Sequence, residues 1–233
     1  MSGLGLGPAE WEAIQLSLWV SFWATLASLP LGLLTAYALA RWQFPGKGVL
    51  NGLVHLPLIL PPVVTGYLLL AAFGRRGPLG QALDAAFGIS IAFQWTGAAV
   101  AAAIMAFPLM VRAMRIAIDA VDPKLEEAAE TLGASRLVVF ATVTLPLILP
   151  GLIAGAILAF AKAMGEFGAT ITFVSNIPGQ TQTLPSAIYA FLQVPGGEGS
   201  AFRLVIISVC IAMAALALSE WMARRAAKRV AGR

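Results

Sequence analysis

Apolar residues run almost unbroken through five stretches of the chain: Ile14 to Ala40, Val49 to Phe73, Ile91 to Val111, Val143 to Phe167 and Ala201 to Met222. Each is long enough for a helix across a bilayer, which takes about 20 residues. One polar interval, 119–142, differs from the others because apolar positions recur within it at helical spacing. The pattern predicts an all-α fold, a polytopic transmembrane bundle of five spans. It forms a single membrane domain over 1–233, with a cytoplasmic helical loop at 119–142.

The basic residues orient the bundle. Arg41 and Lys47 lie between the first two spans, and Arg112, Arg115, Lys124 and Arg136 between the third and fourth. Arg224, Arg225, Lys228, Arg229 and Arg233 follow the fifth, whereas the opposite side carries only Arg75, Arg76 and Arg203. Basic loops stay in the cytoplasm. The N-terminus is therefore expected outside, with the C-terminus and the Asp122 segment inside. The terminal basic cluster also suits contact with anionic lipid.

Composition agrees. The chain is 59% apolar and only 11% charged, where an ordinary soluble domain has roughly a quarter of its residues charged. The net charge of +4 follows from the loop bias and is no argument for nucleic acid. The start of the chain has no basic n-region, so the first span is expected to be retained rather than cleaved as a signal. Trp11, Trp19, Trp42, Trp95 and Trp221 sit near span ends, where interfacial anchoring favours them. The single Cys210 forms no internal disulfide, and the single His55 has no partners at metal-ligand spacing.

The polar interval has its own start and stop signals. Asp122 can cap the free N–H groups of a helix whose first residue is Pro123. Gly133 suits a left-handed C-terminal position, and Ser135 can cap a second helix that feeds the fourth span. Leu125, Ala128, Ala129 and Leu132 share one side of the first helix, and Glu126, Glu127 and Glu130 surround the other. Spacing alone fits a solvated connector equally well.

The order Glu127-Ala128-Ala129, Gly133, Val143 and Leu145-Pro146 resembles the EAA motif of ABC-importer membrane subunits. Val143 stands where that motif usually has Ile. The segments "HLPLILPPVVTGYLLL", "FPLMVRA" and "GEFGATITFVSNIPG" are similar to the molybdate permease branch, with sulfate and thiosulfate permeases as near relatives. The resemblance implies that Glu126, Glu127, Ala128, Ala129, Thr131, Leu132, Gly133 and Ala134 form a coupling helix docking on a separate ATPase. It also implies two copies of this chain, two ATP-binding cassettes, an extracytoplasmic molybdate-binding protein, and a bacterial or archaeal inner membrane. ATP and Mg would belong to the partner ATPase. The cargo would be molybdate or tungstate, with sulfate the alternative. An ion-coupled secondary carrier is the alternative of another class.

Other features keep two readings. "LPLILP" occurs at Leu56–Pro61 and at Leu145–Pro150, with Gly66 and Gly155 at the same offset. It is either chance in Leu-rich sequence or a broken helix start at each place, since Pro removes a backbone donor. The second reading makes Pro57, Pro61 and Pro62 candidates for the pathway or gate. Lys162 and Glu166 are four residues apart within the fourth span. They form either a self-neutralising pair or an interior-facing site near the path. Arg75 and Arg76 fit interfacial snorkelling, or contact with a donor protein or attraction of an anion. The outer segment Asn176 to Ser200 predicts a short helix through Gln193, either meeting a binding protein or covering the bundle. No G-x-x-x-x-G-K-[ST] phosphate loop is present, so ATP hydrolysis is expected on another chain.

Overall fold

The computed structural model describes residues 5–230. Arg233 lies outside the described residues, as do the side chains of Lys228 and Arg229. Among the described residues the elements are helical. They are α1 (Pro8–Arg41), α2 (Lys47–Ile59), α3 (Pro62–Phe73), α4 (Pro78–Phe87), α5 (Trp95–Asp119) and α6 (Pro123–Thr131). There follow α7 (Arg136–Val139), a π-helical turn (Phe140–Thr144), α8 (Leu145–Met164), α9 (Gly168–Val174), α10 (Leu184–Leu192) and α11 (Glu198–Val230).

Among the described residues four helices are long and apolar enough to cross a membrane, and α2 with α3 adds a fifth if that bent pair counts as one span. α5 is the central post, packed by α1, α8, α9 and α2. Its inward face is built from small or flexible residues, including Ala98, Ala101, Ala102, Met105, Met110 and Met114, all buried. With lipid as apolar as the side chains, association depends on close packing, and small residues permit it. Gly32 of α1 leaves the space that Met110 fills, and Gly155 of α8 sits against Met110 and Ala113.

Two expected spans are interrupted. The stretch Val49–Phe73 is not one helix: it breaks between Ile59 and Pro62 and bends by 114°. Leu60 (ψ 142°) and Pro61 (ψ 133°) are both extended, and each precedes a proline. Proline disfavours helical geometry in the residue before it. The fourth span stops at Met164 instead of reaching Phe167. Gly165 ends α8, and the chain restarts as α9 at Gly168. The second "LPLILP" does not break its helix, since α8 runs straight through Pro150. α4 follows a start signal, Gly77-Pro78, and ends at left-handed Gly88, in a region to which the sequence pattern assigns no element.

Candidate functional site

The turn between α6 and α7 is built as its residues dictate. The Asp122 carboxylate accepts the Lys124 N–H at 3.0 Å, with Pro123 opening the helix. At the other end Gly133 has φ +89°. The Gly133 N–H donates to the Glu130 carbonyl at 2.9 Å, and the Ala134 N–H to the Ala129 carbonyl at 3.2 Å. These two bonds are the Schellman pairing, which satisfies the last carbonyls of a helix and needs a left-handed residue at the turn.

Glu126 turns back into the body of the protein. It accepts the Thr144 hydroxyl at 2.6 Å and lies 3.6 Å from Arg41. Arg41 also donates to the Val121 carbonyl at 2.9 Å. The end of α1, the start of α6 and the π-turn before α8 are thereby held at one point. Tyr37 of α1 packs edge-on to Phe140 of the same π-turn, with ring centroids 5.5 Å apart. π-turns inside α-helices recur at functional sites.

The apolar stripe of α6 is divided. Ala129 is half-buried, but Leu125 is 50% exposed and Leu132 89% exposed. Leu137, just past the turn, is 82% exposed. Glu127, Ala128, Thr131 and Gly133 are exposed, and Ala134 is half-buried. The turn therefore offers solvent a small apolar knob at its tip, on a frame braced by Glu126. Glu130 lies 3.8 Å from exposed Arg136 across the turn.

The pathway candidates divide into two groups. Lys162 and Glu166 meet at 3.0 Å, with the Glu166 side chain 2% exposed. The other Glu166 oxygen accepts the Ala169 N–H at 3.0 Å. One carboxylate thus neutralises a lysine and caps the first turn of α9. The face of α9 meets α3 at very short range. A Cβ on Gly168 would lie 2.7 Å from Pro62 Cβ, and one on Gly66 2.5 Å from the Ala169 carbonyl oxygen. Pro62, Glu166 and Lys162 therefore belong to one junction of two broken helices. Pro57 does not join it. It lies with Ser28, Leu31, Val54 and Phe107 along a separate cavity of about 470 Å³ between α1, α2 and α5. Pro61 is exposed at the bend.

Sequence reasoning missed a second buried charge. Arg203, at the start of α11, donates to Glu10 Oε1 through Nε at 3.0 Å and Nη2 at 2.8 Å. Glu10 also accepts the Gly7 N–H and is 2% exposed. The available signal was one acid and one base, each within the first two turns of a helix. Nearby, Ser17 of α1 accepts the Leu184 N–H at 2.6 Å, fixing the first turn of α10. The His55 ring nitrogen lies 2.8 Å from the Asn51 carbonyl of its own helix. Arg75 and Arg76 are exposed between α3 and α4.

The geometry is that of a multi-span helical bundle with a braced turn between α5 and α8. The chain belongs to the family described as binding-protein-dependent transport system inner membrane component, whose profile matches residues 28–230. It is 60% identical over 224 residues to the molybdenum transport system permease protein ModB of Escherichia coli strain K12, covering 96% of this chain and 97% of that one. It is 52% identical to the ModB of Haemophilus influenzae, covering 95% and 96%. A bacterial ABC transporter involved in the import of the acidic polysaccharide alginate has the same fold, with a TM-score of 0.75 at 19% identity, over 95% of this chain and 81% of that one. The chain is a multi-pass inner membrane component of a transport system.

Proposed function

We propose that this chain is the membrane-spanning subunit of an ATP-driven importer that carries molybdate, and tungstate with it, into the cytoplasm. The observation that carries the ATP-driven part is the Gly133 turn, with Leu132 89% exposed at its tip on the side that the basic loops assign to the cytoplasm. An apolar knob facing water fits a groove on a soluble partner. The cargo is supported by the 60% and 52% identity to permeases named for molybdenum transport.

Two copies of the chain place the pathway between protomers. Two ATP-binding cassettes dock on the two Asp122–Arg136 turns, and an extracytoplasmic binding protein delivers the oxyanion. ATP, with its Mg, binds the cassettes alone. Closing of the cassettes moves α6. The Arg41–Glu126–Thr144 contacts pass that motion to α1 and to the start of α8. Access then switches from the cytoplasmic to the outer side.

Uptake of labelled molybdate into vesicles tests the reading. The vesicles contain this chain, its ATPase and its binding protein, with ATP inside and excess sulfate outside. ATP-dependent uptake that resists sulfate is expected. Uptake abolished by sulfate moves the cargo to sulfate, and uptake without ATP indicates an ion-coupled carrier. In the same vesicles Gly133→Val should cut uptake at least about tenfold while the chain remains inserted. A β-branched residue at positive φ is strained, and the turn that presents Leu132 is lost. Full uptake by an inserted Gly133→Val chain sinks the coupling claim.

A further inference from the structure

A groove separate from the turn tip and from the α3–α9 junction runs between α8 and the cytoplasmic end of α11. Its volume is about 650 Å³. Pro146, Leu149 and Ile153 of α8 form one wall, at i, i+3 and i+7, and Trp221 and Met222 form the other. α8 and α11 run in opposite directions, so Arg225 lies at the end near Thr142 and Leu125, and Ile153 lies deepest. The groove is apolar at depth, and its polar groups gather at the cytoplasmic rim.

The two rim arginines differ. Arg224 is bound by Glu220 at 2.6 Å. Arg225 lies over the Trp221 ring, 4.7 Å from its centroid, and no carboxylate pairs with it among the described residues. No acidic residue follows Glu220, while Lys228, Arg229 and Arg233 do. A Trp and an unpaired cation at the inner interface, above an apolar slot between two membrane helices, match the two halves of an anionic phospholipid.

We propose that this groove binds an anionic phospholipid of the inner leaflet, phosphate at Arg225 and an acyl chain along Pro146–Ile153. The charge argues for lipid over a second copy of this chain, whose own cytoplasmic rim is equally basic. The site also has a mechanical position. Leu125 of the coupling helix and Val143 of the π-turn line it, so the bound lipid touches the elements that the ATPase would move. The proposal does not depend on which oxyanion is carried.

Native mass spectrometry of the full chain, purified with equal phosphatidylglycerol and phosphatidylcholine, reads the site directly. The expected result is preferential retention of phosphatidylglycerol. Arg225→Gln should lower that preference at least about fivefold, and Arg224→Gln should leave it nearly unchanged. Ile153→Trp, which fills the deep end, should lower retention of both lipids. Equal retention of the two lipids by the unaltered chain overturns the proposal, as does an Arg225→Gln chain with undiminished preference. If Ile153→Trp instead dissociates copies of the chain and leaves lipid retention intact, the groove is a subunit contact and the proposal fails.

Discussion

Leu56–Pro61 and Leu145–Pro150 are the same six residues in two different structures. The first ends α2 and turns the chain by 114°. The second opens α8, which continues for 20 residues through Pro150 to Met164. The next residue decides. Pro62 follows the first copy and imposes a pre-proline restriction on Pro61, on top of the one already on Leu60. Gly151 follows the second copy and imposes none. Its missing Cβ also lets α8 lie directly on Ala117 of α5. One internal proline, whether Pro57 in α2 or Pro150 in α8, is accommodated. Two in succession, Pro61 and Pro62, are not.

The strongest way to break this comparison is Gly151→Pro, which gives the second copy the context of the first. A proline inside a helix costs about 3 kcal/mol or more, and here the new ring also meets Ala117. Membrane-inserted protein should fall at least about tenfold by quantitative immunoblot. Unchanged abundance would mean that the following residue is not the determinant.

The two offset glycines give a smaller contrast. A Cβ on Gly66 would lie 2.5 Å from a backbone oxygen and 2.8 Å from Thr172 Cβ, whereas on Gly155 the nearest atoms are at 3.3 Å. One of the latter belongs to the flexible Met114 side chain. Gly66→Ala should cost about 1–3 kcal/mol, the usual range of overpacking, and Gly155→Ala less than about 1 kcal/mol. At about 2–4 °C per kcal/mol, thermal melting in detergent should separate them, with Gly66→Ala the lower. Equal melting temperatures would remove the close α3–α9 approach from the explanation.

The smallest effect sharpens the comparison rather than breaking it. Pro62→Ala gives the first copy a single terminal proline, as in the second. The bend should open, and spin labels at Val49 and Tyr67 should move apart by several Å, toward the ~27 Å of an unbroken helix between those positions. An unchanged distance would show that α9 packing alone fixes the bend.

What the sequence reveals here follows the range of the interactions. The ends of α6 are legible because Asp122 and Gly133 act within a few residues. The five apolar stretches are legible because bilayer thickness sets their length. The inward turn of Glu126 is not, since helical spacing alone groups it with Glu127 and Glu130. Its partners Arg41 and Thr144 come from other elements. The α3–α9 junction depends on Gly66 meeting Ala169 across about a hundred residues, which no local period encodes. α4 had readable signals in Gly77-Pro78 and Gly88, obscured because the run is too short to span.

The Glu10–Arg203 pair joins the first turn of α1 to the second turn of α11, 193 residues apart. A buried charge that lacks its partner costs about 3–5 kcal/mol. At ~5–20 residues per second on the ribosome, the carboxylate waits on the order of 10–40 s for its countercharge. A chain cut off before α11 never receives it. The clasp therefore closes only after α11 has been made, so the first helix carries an unpaired acid through most of synthesis.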